Sequence, residues 1–216
     1  MSKLIKFFIF VFVNSFNNYV DAFNLCIVGG SSGLGRELIF QGLSKNLDIL
    51  ALSNDNKDIY IPYRNGGLKD KTKKTNNNVI INANLKCDVY GNVKKYNYTN
   101  LIFTTSGTSF TKDYSDKLTK FFLKDISKEC RQIILISAYG VGDSFKNLDV
   151  GYNIMNNWYL KDVYRAKNEQ EYIINNLPKD LNIKTTIIRP KVLSYGKNIY
   201  NAKSRQKLAN EILNNI

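Results

Sequence analysis

The stretch Cys26–Ile39, CIVGGSSGLGRELI, holds the residues best suited to chemistry. Gly29, Gly33 and Gly35 stand between an apolar run and an amphipathic one, in the spacing G-x-x-x-G-x-G. A strand–turn–helix of this kind uses its glycines for a tight turn, for close approach of backbone N–H groups to a pyrophosphate, and for helix–strand packing. The helix start adds partial positive charge for the phosphate. The chain has no histidine, which excludes serine–histidine triads, histidine general bases and histidine metal ligands. Catalysis must therefore run on Tyr, Lys, Ser, carboxylates or a bound cofactor. Cys26, Cys87 and Cys130 lie far apart without metal-ligand spacing. No metal site is expected, and Cys26 and Cys87 read as buried free thiols.

The elements that must position this turn alternate. NLCIV (24–28) is a β-rich run, and 33–45 is helical with Leu34, Leu38, Ile39 and Gly42/Leu43 on one face. DILALS (48–53), VIINANLKCDV (79–89), LIFTTSG (101–107), QIILIS (132–137) and IKTTIIR (183–189) carry five further strands. KLTKFFLKDI (117–126), 155–176 and 204–215 read as helices, and 54–78 as a mostly irregular loop. Strands alternating with helices predict an α/β fold, a single doubly wound parallel sheet with helices on both faces. With 216 residues and no linker, the chain makes one such domain over 23–216.

Residues 1–22, MSKLIKFFIFVFVNSFNNYVDA, combine a basic start, the apolar run FFIFVFV and small or branched residues at Val20 and Ala22. That is the layout of a secretory signal, too short in its core to span a bilayer; the alternative is an extra strand or helix packed on the domain. With the signal used, the route is secretory, or toward an algal-type plastid because Phe23 follows the cleavage point; otherwise the protein is cytoplasmic. Asn97-Tyr98-Thr99 is a single glycosylation sequon. The formal charge of +13 is spread along the chain apart from KDKTKK (69–74). It reads as a solvated basic surface, with no nucleic-acid partner expected.

Four blocks together, VGGSSGLGR (28–36), CDV (87–89), ILISAYGVGDS (134–144) and YLKDVYRAKNEQEYI…IKTTIIRPKVLSYG (159–196), resemble the short-chain dehydrogenase/reductases, and among them the atypical, NmrA-like NAD(P)-binding proteins. SRQKLANEI (204–212) extends the likeness over essentially all of 23–216. The resemblance implies a Rossmann fold, a dinucleotide cofactor and a small-molecule substrate. It places Gly29, Ser31, Ser32, Gly33, Leu34 and Gly35 around the pyrophosphate, and Arg36 toward the adenosine phosphate. Asp88 and Val89 would meet the adenine, and Thr105, Ser106 and Gly107 the ribose region. Ser137 falls at the family's catalytic serine, and Lys167 at the lysine that binds the nicotinamide ribose. Arg189-Pro190, with Val192 and Leu193, would close over the nicotinamide.

The chain departs from the family in three places. The family's proton-donating tyrosine stands four residues before the lysine, where this sequence has Val163. Tyr164, three before Lys167, is the candidate acid, as an i,i+3 neighbour whose pKa the lysine would lower; Tyr139 is the second candidate. At the end of the second strand Ser53-Asn54 replaces the acid that would hold the ribose hydroxyls of NAD. With Arg36, this favours NADP(H) over NAD(H), while Asp55 keeps NAD open. Finally, only a short segment separates Arg189 from the closing helix. An open substrate site follows, for a flat acceptor such as a quinone or flavin, or for none.

Overall fold

The computed structural model describes residues 22–54, 59–62, 72–75, 85–105, 114–147, 160–194 and 202–216. β1 (Ala22–Val28) runs into the turn 29–32 and α1 (Gly33–Ser44). β2 (Ile49–Ser53), β3 (Ile59–Pro62), β4 (Thr72–Thr75) and β5 (Leu85–Val89) follow. A 3-10 helix (Tyr90–Lys95) leads to β6 (Asn97–Phe103), α2 (Ser115–Lys124) and β7 (Gln132–Ile136). After a second 3-10 helix (Gly142–Asn147) come α3 (Lys161–Asn175), β8 (Lys184–Ile188), β9 (Val192–Ser194), β10 (Ala202–Ser204) and α4 (Arg205–Leu213).

Six parallel strands pair in the order β5-β2-β1-β6-β7-β8. This is the doubly wound order in which the sheet reverses direction beside its first strand. Side chains alternate between two buried faces. Leu25, Ile27, Ile49, Ala51 and Ile134 pack with Leu34 and Leu38 of α1 and Leu208 and Ile212 of α4. Cys26, Val28, Leu50, Leu52 and Leu135 pack on the other side with Phe122 of α2 and Ile174 of α3. Both faces are covered, so the strands are apolar without strict polar alternation, as a buried parallel sheet requires. The predicted α/β architecture is the observed one. The three cysteines are free and buried, and burial pushes the Cys26 thiol well up and that of Cys130 to about 11.

Several boundaries differ from the sequence reading. The stretch 54–78, expected to be irregular, contains the antiparallel pair β3–β4, with Ile59 opposite Thr75 and Pro62 opposite Thr72. Ile59 is buried in the core beside α1, and this anchoring of a β-branched residue outweighs the local Lys/Thr/Asn composition. β6 begins at Asn97, four residues early, because Ala22 and Phe23 extend β1 and pair with Asn97 and Tyr98. Tyr98 is fully buried there. Ala22 therefore lies inside the first strand, and the sequon lies in a central strand. Residues 1–21, and with them the expected targeting segment, fall outside the described residues. No helix among the described residues is long and apolar enough to cross a membrane.

Candidate functional site

The strand order reverses between β1 and β6, and open α/β sheets bind ligands at the carboxyl ends flanking that crevice. The glycine turn ends β1, and Thr104-Thr105 ends β6. Gly29 has φ +91°, and a Cβ there would lie 2.8 Å from both Thr104 Oγ1 and Thr105 Cγ2. Gly35 is held tighter still, because its Cβ would come within 2.3 Å of the Gly29 carbonyl oxygen. The two glycines thus let the start of α1, the turn and the end of β6 close on one another.

Polar contacts fix the same arrangement. Ser32 is the N-cap of α1: its Oγ accepts from the Gly35 N–H at 2.9 Å and donates to Thr104 Oγ1 at 2.9 Å. Thr104 Oγ1 donates in turn toward the carbonyls of Val28 and Gly29. The N–H groups of Ser32 and Arg36 bond to Gly29 O and Ser32 O. Those of Gly33 and Leu34 have no acceptor among the described residues, which is the donor set a helix start offers an anion. Arg36 Nε donates to Ser31 O at 2.9 Å, so its guanidinium lies along the rim of the turn. Ser31 is exposed there.

At the end of β2, Ser53 is buried and Asn54 is exposed. Asp88, at the end of β5, is 3% exposed. Its Oδ1 accepts from the Val89 N–H (2.7 Å) and Asn92 Nδ2 (2.8 Å), and its Oδ2 accepts from the Tyr96 hydroxyl. Burial works to raise its pKa; these hydrogen bonds and the charge of Lys95 more than offset that and hold the carboxyl below its usual range. Asp88 and Val89 are thus engaged with each other and with the turn that follows. Ser106 and Gly107 fall outside the described residues.

The expected catalytic residues meet at the ends of β6 and β7. Ser137 follows β7 and is 6% exposed; its N–H bonds to Ile188 O at 2.8 Å. Its Oγ has no partner among the described residues, and neither has Thr105 Oγ1. Two buried hydroxyls without acceptors are the atoms a bound ligand would satisfy, and the glycine cradle beside them suits a dinucleotide.

Lys167 of α3 is 2% exposed, and its Nζ donates to Thr105 O (2.6 Å), Ile136 O (2.9 Å) and Gln170 Oε1 (2.9 Å). All three ammonium donors are engaged within the protein, tying β6 to β7. Gln170 continues the network, donating to Thr119 Oγ1 at 2.6 Å and Ser115 O at 3.1 Å. Tyr164 is 7% exposed, and its hydroxyl donates to Tyr139 O at 2.9 Å. Tyr139 itself is half-buried, with the Lys191 ammonium 5.1 Å from its ring centroid.

Arg189 forms a bidentate pair with Glu171, Nε to Oε1 at 2.9 Å and Nη2 to Oε2 at 2.7 Å. The hydrogen bonds to Glu171 chiefly raise the arginine's pKa. Gly142, at φ +55°, lies against this pair, where a Cβ would come within 2.4 Å of Glu171 Oε2. Its N–H bonds to Asn168 Oδ1 at 3.0 Å. The pair therefore locks α3, the end of β8 and the loop after β7 into one unit. Pro190 is buried and Val192 is 53% exposed. Glu171, Gln170 and Asn168 were not expected from sequence. For Gln170 and Glu171 the signal is polar side chains three and four residues after Lys167 on the buried side of α3; Asn168 is exposed and gave no such signal. Among the described residues no cluster of side chains could hold a metal.

No protein-family model and no curated protein matches the chain. Solved structures do. ChuY, an anaerobillin reductase from Escherichia coli, is 14% identical with a TM-score of 0.56, covering 88% of each chain. A short-chain dehydrogenase from Streptomyces avermitilis is 11% identical with a TM-score of 0.54, covering 91% of this chain and 84% of that one. Gre2 from Candida albicans, solved with NADPH, is 11% identical with a TM-score of 0.50, over 80% of this chain and 58% of its own. At such identities the likeness is one of fold: the chain has the Rossmann-type fold of these oxidoreductases, short-chain dehydrogenases among them.

Proposed function

We propose that the chain is an atypical short-chain dehydrogenase/reductase that binds NADP(H) in preference to NAD(H) and reduces a small carbonyl- or quinone-like acceptor. The observation that carries this reading is the pair of buried hydroxyls, Thr105 Oγ1 and Ser137 Oγ, which have no partner among the described residues and lie just past the ends of the neighbouring strands β6 and β7, beside the glycine cradle. An unsatisfied buried hydroxyl costs about 1–3 kcal/mol, which a ligand oxygen relieves. The similar structures described as reductases support it by fold.

On this reading the free N–H groups of Gly33 and Leu34 take the pyrophosphate, with Gly29, Ser31, Ser32 and Gly35 shaping the approach. Arg36 reaches the adenosine phosphate from the rim, with Asn54 on the ribose side and Asp88 and Val89 along the adenine. Thr105, Ser106 and Gly107 serve the ribose near the reacting end, and Arg189, Pro190 and Val192 border the nicotinamide. A nicotinamide bound there would be the hydride source for the acceptor. Ser137 Oγ donates a hydrogen bond to the acceptor oxygen, and Tyr164 or a water molecule delivers the proton. Lys167 keeps the two strand ends together, and contact with a ribose requires one of its three bonds to open. The N-terminal segment remains a targeting signal in this proposal, tested by fusing residues 1–30 to a fluorescent protein; diffuse cytosolic signal would refute it.

A second reading, a non-catalytic NAD(P)-binding sensor or assembly factor, is favoured by two contacts. The Tyr164 hydroxyl is turned onto Tyr139 O, and every Lys167 donor is taken. Fluorescence titration with NADPH and NADH, followed by turnover against carbonyls, quinones and flavins, separates the readings. Binding with turnover that falls in Ser137→Ala supports the reductase; binding without turnover supports the sensor. Tighter NADH binding overturns the cofactor preference.

A further inference from the structure

The outward side of α2 belongs to none of this machinery. Thr119 and Phe122 are buried beneath the helix, and Leu118 and Leu123 pack on the core. Outward stand Lys117, Lys120, Phe121 and Lys124, with Tyr114 just before the helix and Lys128 just after it, all exposed. Tyr114, Lys117, Phe121 and Lys124 recur at three- and four-residue spacing, hence on one stripe. Tyr114 is 54% and Phe121 37% exposed.

Among the described residues, the acids nearest this stripe are engaged elsewhere. Asp116 turns inward, 7% exposed, and pairs with Arg165 at 3.6 Å. Asp125 pairs with Lys94 at 3.0 Å, and Glu129 accepts from Asn97 Nδ2 at 3.2 Å. Among the described residues Lys117, Lys120, Lys124 and Lys128 have no ion-pair partner; Lys117 lies 5.3 Å from the Tyr114 ring centroid. Four unneutralised ammonium groups with two exposed aromatic rings make a surface for an anionic partner. A second copy of this chain is a poor occupant, because a two-fold contact would set the same charges against each other.

We propose that this face of α2 docks the protein peripherally on an anionic lipid bilayer. The chemistry favours a charged plane over a nucleic acid. The stripe is built from lysines, point charges on flexible stems, without the arginine forks that read phosphate and base edges. Phe121 and Tyr114 supply rings for the headgroup boundary, where aromatic side chains settle. Attraction to anionic headgroups acts on each lysine nearly independently and is weakened by salt. The inference stands apart from the reductase reading.

Sedimentation of the full chain with phosphatidylcholine vesicles, with and without phosphatidylserine, tests it. Wild type should bind only the vesicles containing phosphatidylserine and release as salt rises. Each Lys→Gln change on the stripe should weaken binding about fivefold, and the fourfold Lys117/Lys120/Lys124/Lys128→Gln variant on the order of a few-hundred-fold. The fourfold Lys→Arg variant should bind as wild type, and all variants should keep the wild-type thermal melt, since these side chains are exposed. Four results would overturn the proposal: no preference for phosphatidylserine, undiminished binding by the Lys→Gln variant, loss in the Lys→Arg variant, or tighter binding to duplex DNA at physiological salt.

Discussion

Replacing Gly35 with alanine tests whether the glycine turn is a wedged unit or a loose loop. The added Cβ would sit 2.3 Å from Gly29 O, and 3.0 Å from both Gly30 Cα and Ser32 Oγ. An unstrained contact needs about 3.5 Å, so the start of α1 must retreat from the turn by about 1 Å. Two of the three opposing atoms are backbone, so a rotamer change cannot relieve the clash. Overpacking of this kind costs up to about 3 kcal/mol. Alanine regains about 1 kcal/mol of helix propensity, leaving a net loss of about 2 kcal/mol. For a chain of this size that lowers Tm by roughly 4–8 °C. The retreat also carries the Gly33 and Leu34 N–H groups away from Gly29 and Ser32. On the proposed reading, loss of one charge-assisted hydrogen bond to a phosphate would then weaken NADPH binding by about tenfold or more. The assay pairs thermal denaturation followed by circular dichroism with NADPH fluorescence titration. Gly91→Ala is the control, since nothing lies within 4 Å of a Cβ there. If Gly35→Ala melts and binds like wild type, the helix start is not wedged on the turn, and the phosphate cradle loses its structural argument.

Other substitutions separate structural roles from chemical ones. Ser137→Ala should raise stability by about 1 kcal/mol, because it removes a buried hydroxyl with no partner among the described residues, while turnover falls; a destabilised Ser137→Ala would mean the hydroxyl already has a partner. Tyr164→Phe removes the bond to Tyr139 O and should cost about 1 kcal/mol; unchanged turnover would pass the proton-donor role to water. Glu171→Ala strands Arg189, which is 26% exposed at its side chain, and should cost about 3 kcal/mol by chemical denaturation. Asp88 gives a pH signature. Its carboxyl is held below the usual range in the folded protein, so its stabilisation is present above the unfolded value of about 3.9. That contribution is lost as pH falls through the folded value. Asp88→Asn should therefore be less stable than wild type at neutral pH, with the gap closing in acid; a pH-independent gap would refute the assignment.

The parts of the molecule legible in sequence are those whose causes are local. The glycines of the turn and the apolar runs of β1, β2 and β7 each satisfy a rule that acts over a few residues, and each stands where the spacing predicts. β3–β4 was not legible, because its anchor is Ile59 meeting α1 from across the fold while its own composition resembles a loop. The buried side of α3 shows the same limit more sharply. Lys167, Gln170 and Glu171 recur at helical spacing among Val163, Ala166 and Ile174, and that pattern announces polar groups inside the core. It cannot name their partners, because those arrive from elsewhere: Thr105 O from the end of β6, Ile136 O from β7 and Arg189 from the end of β8. A lysine aligned with a cofactor-binding position can therefore spend its donors on strand-end carbonyls without any change in the local sequence. What decides whether Lys167 serves a ribose is the cost of opening one of those three bonds. If the Ser137→Ala protein binds NADPH normally while Lys167→Met unfolds before binding can be measured, the lysine holds the site together; if Lys167→Met folds and loses only NADPH, one bond opens for the ribose.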